Sequence, residues 1–403
     1  MLSQPDPAGF LPLDRLHALV ARLMRLGYRC LGPAVENGAI VMRELDAPNA
    51  VPRGLQAEQS AGRIRLTRDP RHRYFAWANG PQAIKPRTFA PQESLWRVER
   101  DAAGALQFTA VQPAAPLQAI IGVRACDLAA LALQDAHFLR EGRRDAHYAR
   151  RREQLFLVAV QCAEPAATCF CASTGDGPTP ATGYDLALAE LAEGFVAVAG
   201  SDKGRAVFDS LQLPAATPQQ IEAARQQGQA AAAAQTRSLP GRNLRDALMS
   251  RLDHPRWDEV AARCLACGNC TAVCPTCFCH AEMDEPALAG QSSGHVRIWD
   301  SCFGESHGHL HGFNVRPDIR SRYRQWLTHK LATWHDQFGR SGCVGCGRCI
   351  AWCPVGIDLT EEVAALMSGT DQPSDGTTRH STKPASGQVA GYPRPSPASG
   401  RGG

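Results

Sequence analysis

Two stretches of the chain repeat one pattern of cysteines, and no other feature restricts its fold as tightly. One reads Cys264-Leu-Ala-Cys267-Gly-Asn-Cys270-Thr-Ala-Val-Cys274-Pro275, the other Cys343-Val-Gly-Cys346-Gly-Arg-Cys349-Ile-Ala-Trp-Cys353-Pro354. Both follow C-x2-C-x2-C-x3-C-P, the spacing of bacterial ferredoxins. Three thiols so close together let one loop wrap a face of an iron–sulfur cubane. The small residues between them (Ala266, Gly268, Gly345, Gly347) let backbone N–H groups approach the sulfurs. The fourth cysteine, followed by proline, turns the chain toward the other cluster. Cys264, Cys267, Cys270 and Cys353 are therefore expected to hold one [4Fe-4S] cluster, and Cys343, Cys346, Cys349 and Cys274 a second. Zinc knuckles also use closely spaced cysteines, but four per run at this spacing suit zinc poorly.

A chain of 403 residues, 44% hydrophobic, has room for two or three domains with real cores. Its formal charge is +4. Each four-thiolate [4Fe-4S]2+ unit adds about −2, so two bring the total near zero and three to about −2. That balance gives no support to nucleic-acid binding. Sixteen cysteines in a chain this long do not read as a small disulfide scaffold. The opening Met-Leu-Ser-Gln-Pro-Asp-Pro lacks the basic and apolar regions of a signal peptide, and no apolar run reaches transmembrane length. A reducing, cytoplasmic setting away from the membrane is expected.

In chain order, Leu13, Leu16, Leu19, Val20, Leu23 and Leu26 share one face of a helix expected over 12–27. A hairpin follows: Tyr28–Leu31, a turn at Glu36-Asn37-Gly38, then Ala39–Leu45. Cys30 in its first strand reads as a small buried hydrophobe. Residues 46–118 read as short strands and loops. Residues 119–123 read as a buried strand, and Arg124-Ala125-Cys126-Asp127 leads into a helix reaching Leu139, with Asp127 as its N-cap. Cys126 would then sit at a helix N-terminus, where the dipole favours a thiolate. Leu155–Val160 is another buried strand, ending at Gln161-Cys162. If these two strands are parallel neighbours, Cys126 and Cys162 share one edge of the sheet. Thr168-Cys169-Phe170-Cys171 follows closely. Cys126, Cys162, Cys169 and Cys171 supply the four thiolates of a third cluster; four unrelated cysteines or a zinc site are the other readings. Strands at Tyr184–Leu191 and Phe195–Ala199 close this region near Leu213. Helices are expected from Thr217-Pro218 to Gln235, over Arg242–Leu252 and over Pro255–Arg263.

The 68 residues between the two runs, Pro275 to Gly342, exceed a compact ferredoxin's connection, and Arg320–Thr333 has helical periodicity. The connection holds Cys277, Cys279 and Cys302, and Thr276-Cys-Phe-Cys279 repeats the Thr-Cys-Phe-Cys of residues 168–171. Three thiolates with no evident fourth read as structural or supporting groups rather than ligands, direct ligation being the alternative. His307, His309 and His311 alternate, so two on one strand face could share a metal, without a partner ligand nearby in sequence. Arg316, Arg320, Arg322, Arg324 and Lys330 read as a solvated face, a docking patch or compensation for cluster charge.

Absences narrow the function. No G-x-G-x-x-G follows a strand and no Walker A run occurs, so no nucleotide site is evident. Nor does the chain carry the paired C-x2-C motifs that hold a nickel–iron centre. Several clusters without a substrate site describe a wire between partners.

Gly122-Val-Arg-Ala-Cys126-Asp127, Gln161-Cys162 through Thr168-Cys-Phe-Cys171 with Gly177-Pro178, Val273-Cys-Pro-Thr-Cys-Phe-Cys279, Trp299-Asp-Ser-Cys302 and Gly342-Cys-Val-Gly-Cys-Gly-Arg-Cys-Ile350 resemble the beta subunit of cytoplasmic sulfhydrogenases, which are NAD(P)-linked [NiFe] hydrogenases. The A subunit of anaerobic sulfite reductases is similar. The resemblance spans roughly residues 12–366. It implies an electron-transfer subunit between a flavin- and NAD(P)-binding partner and the hydrogenase small and large subunits, or the equivalent among sulfite reductase subunits, and it favours the third cluster. A stand-alone iron–sulfur oxidoreductase with an open iron near Cys277, Cys279 and Cys302, and a purely structural metal scaffold, are the readings of other classes.

The expected class is α+β. It comprises an N-terminal mixed α/β domain (1–213) and a mainly α-helical, ferredoxin-like dicluster domain (214–367). A disordered tail rich in Ser, Gly, Pro and Thr (368–403) follows.

Overall fold

In the computed structural model, which describes residues 8–78, 80–81 and 84–368, the strands Gln118–Val123 and Leu155–Val160 lie parallel and adjacent in a seven-stranded sheet. Both are unbroken apolar runs, as strands covered on both faces must be. Ala119, Ile121, Phe156, Val158 and Val160 face one side, where Leu16, Leu19, Val20 and Leu23 of the helix Leu16–Arg25 meet them. Burying each of those leucines stabilises by about 1.5–3 kcal/mol. Ile120, Val123, Leu157 and Ala159 face the other side, under Leu128 and Leu131 of the helix Ala125–Phe138. Across the sheet the order is Gly9–Pro12, Gly194–Ala199, Leu186–Glu190, Leu155–Val160, Gln118–Val123, Arg29–Glu36, Ala39–Glu44. The expected hairpin forms between the last two, turning at Asn37 and Gly38, both with positive φ.

The expected cap at Asp127 is corrected. The helix starts at Ala125 with Arg124 as its N-cap and no side-chain cap bond, so Asp127 lies in the first turn. Its carboxylate is turned into the interior, toward Arg348.

Residues between the two cysteine runs are not helical throughout. His280–Pro286 and Ser292–Trp299 form an antiparallel hairpin, and Ser292–Trp299 also pairs with Gln92–Arg100. With Leu106–Ala110 they make a four-stranded sheet that joins distant parts of the chain. Glu93 and Arg297 lock the pairing through a buried ion pair at 2.5 Å. Further on, the expected helix forms as Ile319–Thr328, then widens into a π turn over His329–Thr333 before Trp334–Phe338. Tyr323, Trp326, Leu327 and Leu331 pack there with Trp257, Val260, Ile350 and Val363 into a second core. The tail assigned to 368–403 lies, from residue 369 onward, outside the described residues.

Candidate metal centres

The two ferredoxin-like runs fold alike. Ala266 and Gly345 occupy matching positions with φ of +50° and +63°, and Gly268 and Gly347 match at +75° and +70°. This left-handed backbone turns amides inward: Ala266 N–H donates to Cys264 Sγ at 3.4 Å, and Gly345 N–H to Cys343 Sγ at 3.5 Å. Such bonds stabilise a charged sulfur.

Cys264, Cys267 and Cys270 line one cavity with Cys353, which arrives from the second run. Phe303, Tyr323 and Trp326 wall it, and Ile357 N–H donates to Cys353 Sγ at 3.3 Å. Cys349 lines the same cavity. Burial pushes the Cys349 thiol up, and the nearby sulfurs of Cys343, Cys346 and Cys274 push it further. Cys349 thus joins the second run to the wall of the first cavity.

Cys126, Cys162, Cys169 and Cys171 line a single pocket together with Cys346 of the second run. Cys126 and Cys162 follow the C-terminal ends of the two central parallel strands, where open α/β sheets place their sites. Burial first, then Asp127, pushes the Cys126 thiol up against the lowering effect of Arg348. The helix dipole therefore does not by itself yield a thiolate there, and four such thiols need a metal to ionise together. Gln235 Nε2 donates to Cys171 Sγ at 3.3 Å. The second run lies hard against this loop: Phe170 N–H donates to the Gly345 carbonyl at 2.8 Å, and a Cβ on Gly345 would stand 2.6 Å from the Cys171 nitrogen.

Cys277, Cys279 and Cys302 line a separate cavity of about 320 Å³ with His307. His307 Nδ1 is bonded to Asp300 Oδ2 at 2.6 Å. A hydrogen bond from Cys302 does most to hold Cys279 down to about 4, and His307 assists. His309 and His311 do not join it. Ser306–Gly308 is a 3-10 turn, which breaks the expected alternation, and both later histidines are exposed on a short hairpin.

The basic residues around 316–330 divide by position. Arg322 is buried and donates to the carbonyls of Arg316, Phe303 and Pro317. Arg320 pairs with Asp258 at 3.0 Å, and Arg324 donates to the Leu252 carbonyl at 2.7 Å. Only Lys330 acts on a sulfur: the π turn brings its Nζ 3.4 Å from Cys274 Sγ and 2.9 Å from Thr276 Oγ1. Sequence reading missed this lysine's placement. It missed Lys85 too, whose Nζ sits 3.8 Å from the Trp299 ring centre and faces the same sulfurs. Cys30 is core, as expected, its thiol pushed up to about 11 mainly by burial.

A family model described as a 4Fe-4S dicluster domain matches residues 263–357. Over 258 residues the chain is 32% identical to the Sulfhydrogenase 2 subunit beta of Pyrococcus furiosus, an alignment covering 62% of this chain and 74% of that one. No solved structure matches.

Proposed function

Since this chain belongs to the family of sulfhydrogenase beta subunits, we propose that it relays electrons between a flavin- and NAD(P)-binding subunit and a [NiFe] hydrogenase core in the cytoplasm. It carries a 4Fe-4S dicluster domain, and we assign Cys264, Cys267, Cys270 and Cys353 to one cluster and Cys343, Cys346, Cys349 and Cys274 to the other. Cys126, Cys162, Cys169 and Cys171 hold a third in this reading. Bound there, clusters supply reversible one-electron storage. In this reading the chain's own residues supply four sulfurs to each cluster, aim the Ala266, Gly345 and Ile357 amides at Cys264, Cys343 and Cys353, wall the first site with Phe303, Tyr323 and Trp326, and set Lys330 beside Cys274.

The observation that carries the reading is the sharing of walls. Cys349 of the second set lines the first cavity, and Cys346 of the same set lines the third pocket. Three sites in contact make a path rather than isolated scaffolding. Residues 1–213 would present the third site and 214–367, mainly helical around the first two, the rest of the path. Among the described residues no helix is long and apolar enough to cross a membrane.

Anoxic co-purification from the native host, with nickel, flavin and sirohaem assayed in one complex, tests it. Nickel with flavin is expected. Sirohaem without nickel would replace this reading with a sulfite reductase relay. Iron is expected to fall by about four per chain when Cys169 and Cys171 are both replaced by serine; unchanged iron would remove the third cluster.

A further inference from the structure

We infer that Cys277, Cys279, Cys302 and His307 form a fourth iron–sulfur site, a [4Fe-4S] cluster held by three thiolates and one imidazole. These four side chains line one cavity.

The first argument is the orientation of His307. Its Nδ1 is engaged by Asp300 Oδ2 at 2.6 Å, which leaves the other ring nitrogen for a metal. A carboxylate fixing the far nitrogen is the usual support of a metal-bound histidine. His307 thus provides the fourth ligand that the sequence near these cysteines does not display.

The second argument is charge. Lys330 and Lys85 are 6% and 3% exposed. Among the described residues neither has a carboxylate partner; the groups that oppose their charge are Cys274 and Cys277, joined by Cys279 for Lys85 and by Cys343 for Lys330. A buried ammonium is stabilised by anions beside it. The dicluster site at Cys274 supplies one for Lys330, whose Nζ is 3.4 Å from that sulfur. Lys85 Nζ donates to the Thr271 carbonyl at 3.1 Å and lies over the Trp299 ring, and a cluster on Cys277 and Cys279 would add an anion close to it.

The third argument is the repeated loop. Thr168 and Thr276, each opening a Thr-Cys-Phe-Cys, are 0% and 1% exposed. The first loop shares its pocket with Cys126 and Cys162, the second with Cys302 and His307. One local device serves both places. Cys274 Sγ lies 3.1 Å from Thr276 Oγ1, and Thr276 lines the cavity of Cys277, so the fourth site adjoins the second. Its imidazole ligand would make it more oxidising than its all-thiolate neighbours.

The test uses the full chain purified without oxygen. About sixteen irons and sixteen sulfides per chain are expected, and Cys302→Ser should remove about four of each. With nitrogen-15 histidine, the reduced protein should show hyperfine coupling to a ligating nitrogen. That coupling should vanish in His307→Cys while iron stays at about sixteen, which a misfolded variant would not do. Should the third cluster fail instead, the wild type would hold about twelve irons and Cys302→Ser would still lose four. Iron unchanged by Cys302→Ser, one zinc per chain, or alkylation of Cys279 in the loaded protein would each overturn the assignment.

Discussion

The guanidinium of Arg348 lies 2.8 Å from the carboxylate of Asp127, with side chains only 2% and 1% exposed. Arg348 stands between two cysteines of the second run, and Asp127 follows Cys126. The pair therefore ties the ferredoxin-like run to the end of the large sheet. Removing one partner of a buried pair leaves an unmatched charge and costs about 3–5 kcal/mol. Asp127→Asn and Arg348→Met should each lower the anoxic unfolding midpoint. The double variant Asp127→Asn with Arg348→Met should lose less than the sum of the two. Strictly additive losses would show that the two groups do not act as a pair.

Gly347 has φ of +70°, and a Cβ there would meet the Thr168 carbonyl. Gly347→Ala should cost about 2–4 kcal/mol, from left-handed strain plus the clash. Gly290 has φ of +67° with nothing near its would-be Cβ. Gly290→Ala should therefore cost only about 1 kcal/mol. Denaturant titration of both variants makes the comparison, and equal losses would deny the close approach of the run to residues 168–171.

Acid should loosen the smaller sheet. Burial alone would raise the pKa of Glu93, but Arg151 and Arg297 outweigh it and hold it below its ordinary 4.5. A carboxylate depressed in the folded state stabilises above the unfolded pKa, and the benefit disappears as pH falls below about 4.5. Asp145, bonded to Arg297, shifts the same way. The wild-type midpoint should thus drop more steeply between pH 5 and 3.5 than that of Glu93→Gln. Parallel curves would count against this role.

Lys330→Met removes a buried positive charge 3.4 Å from Cys274 Sγ. The adjacent cluster should become harder to reduce, by on the order of 100 mV. A redox titration followed by electron paramagnetic resonance reads the shift, and an upward or absent shift would show that Lys330 does not compensate cluster charge.

Much of this was legible where the signal was local. The strands at 119–123 and 155–160 announce themselves as apolar runs, and Thr217 with Gln220 forms the capping box that its spacing allows. The pairing of Ser292–Trp299 with Gln92–Arg100 was not legible, because both strands are polar on one face and lie nearly 200 residues apart. Asp127 illustrates the same limit. An aspartate just after a strand satisfies the local rule for a cap, yet an arginine 221 positions away claims it. His307 failed for a related reason: its alternation with His309 and His311 suggested a strand, while it sits in a 3-10 turn and its partner is Asp300, just past the strand Ser292–Trp299.

The exchange of the fourth cysteine between the runs has a consequence for biogenesis. On the proposed ligand sets, the first site lacks Cys353 and the second lacks Cys349 until the second run has left the ribosome. Cys346, part of the wall of the third pocket, is equally late. Scaffold proteins that deliver iron and sulfide must therefore act after residue 353 has emerged. A chain cut short before residue 343 would leave the cell's assembly machinery with half-formed sites and exposed thiols, a substrate for proteolysis rather than for loading.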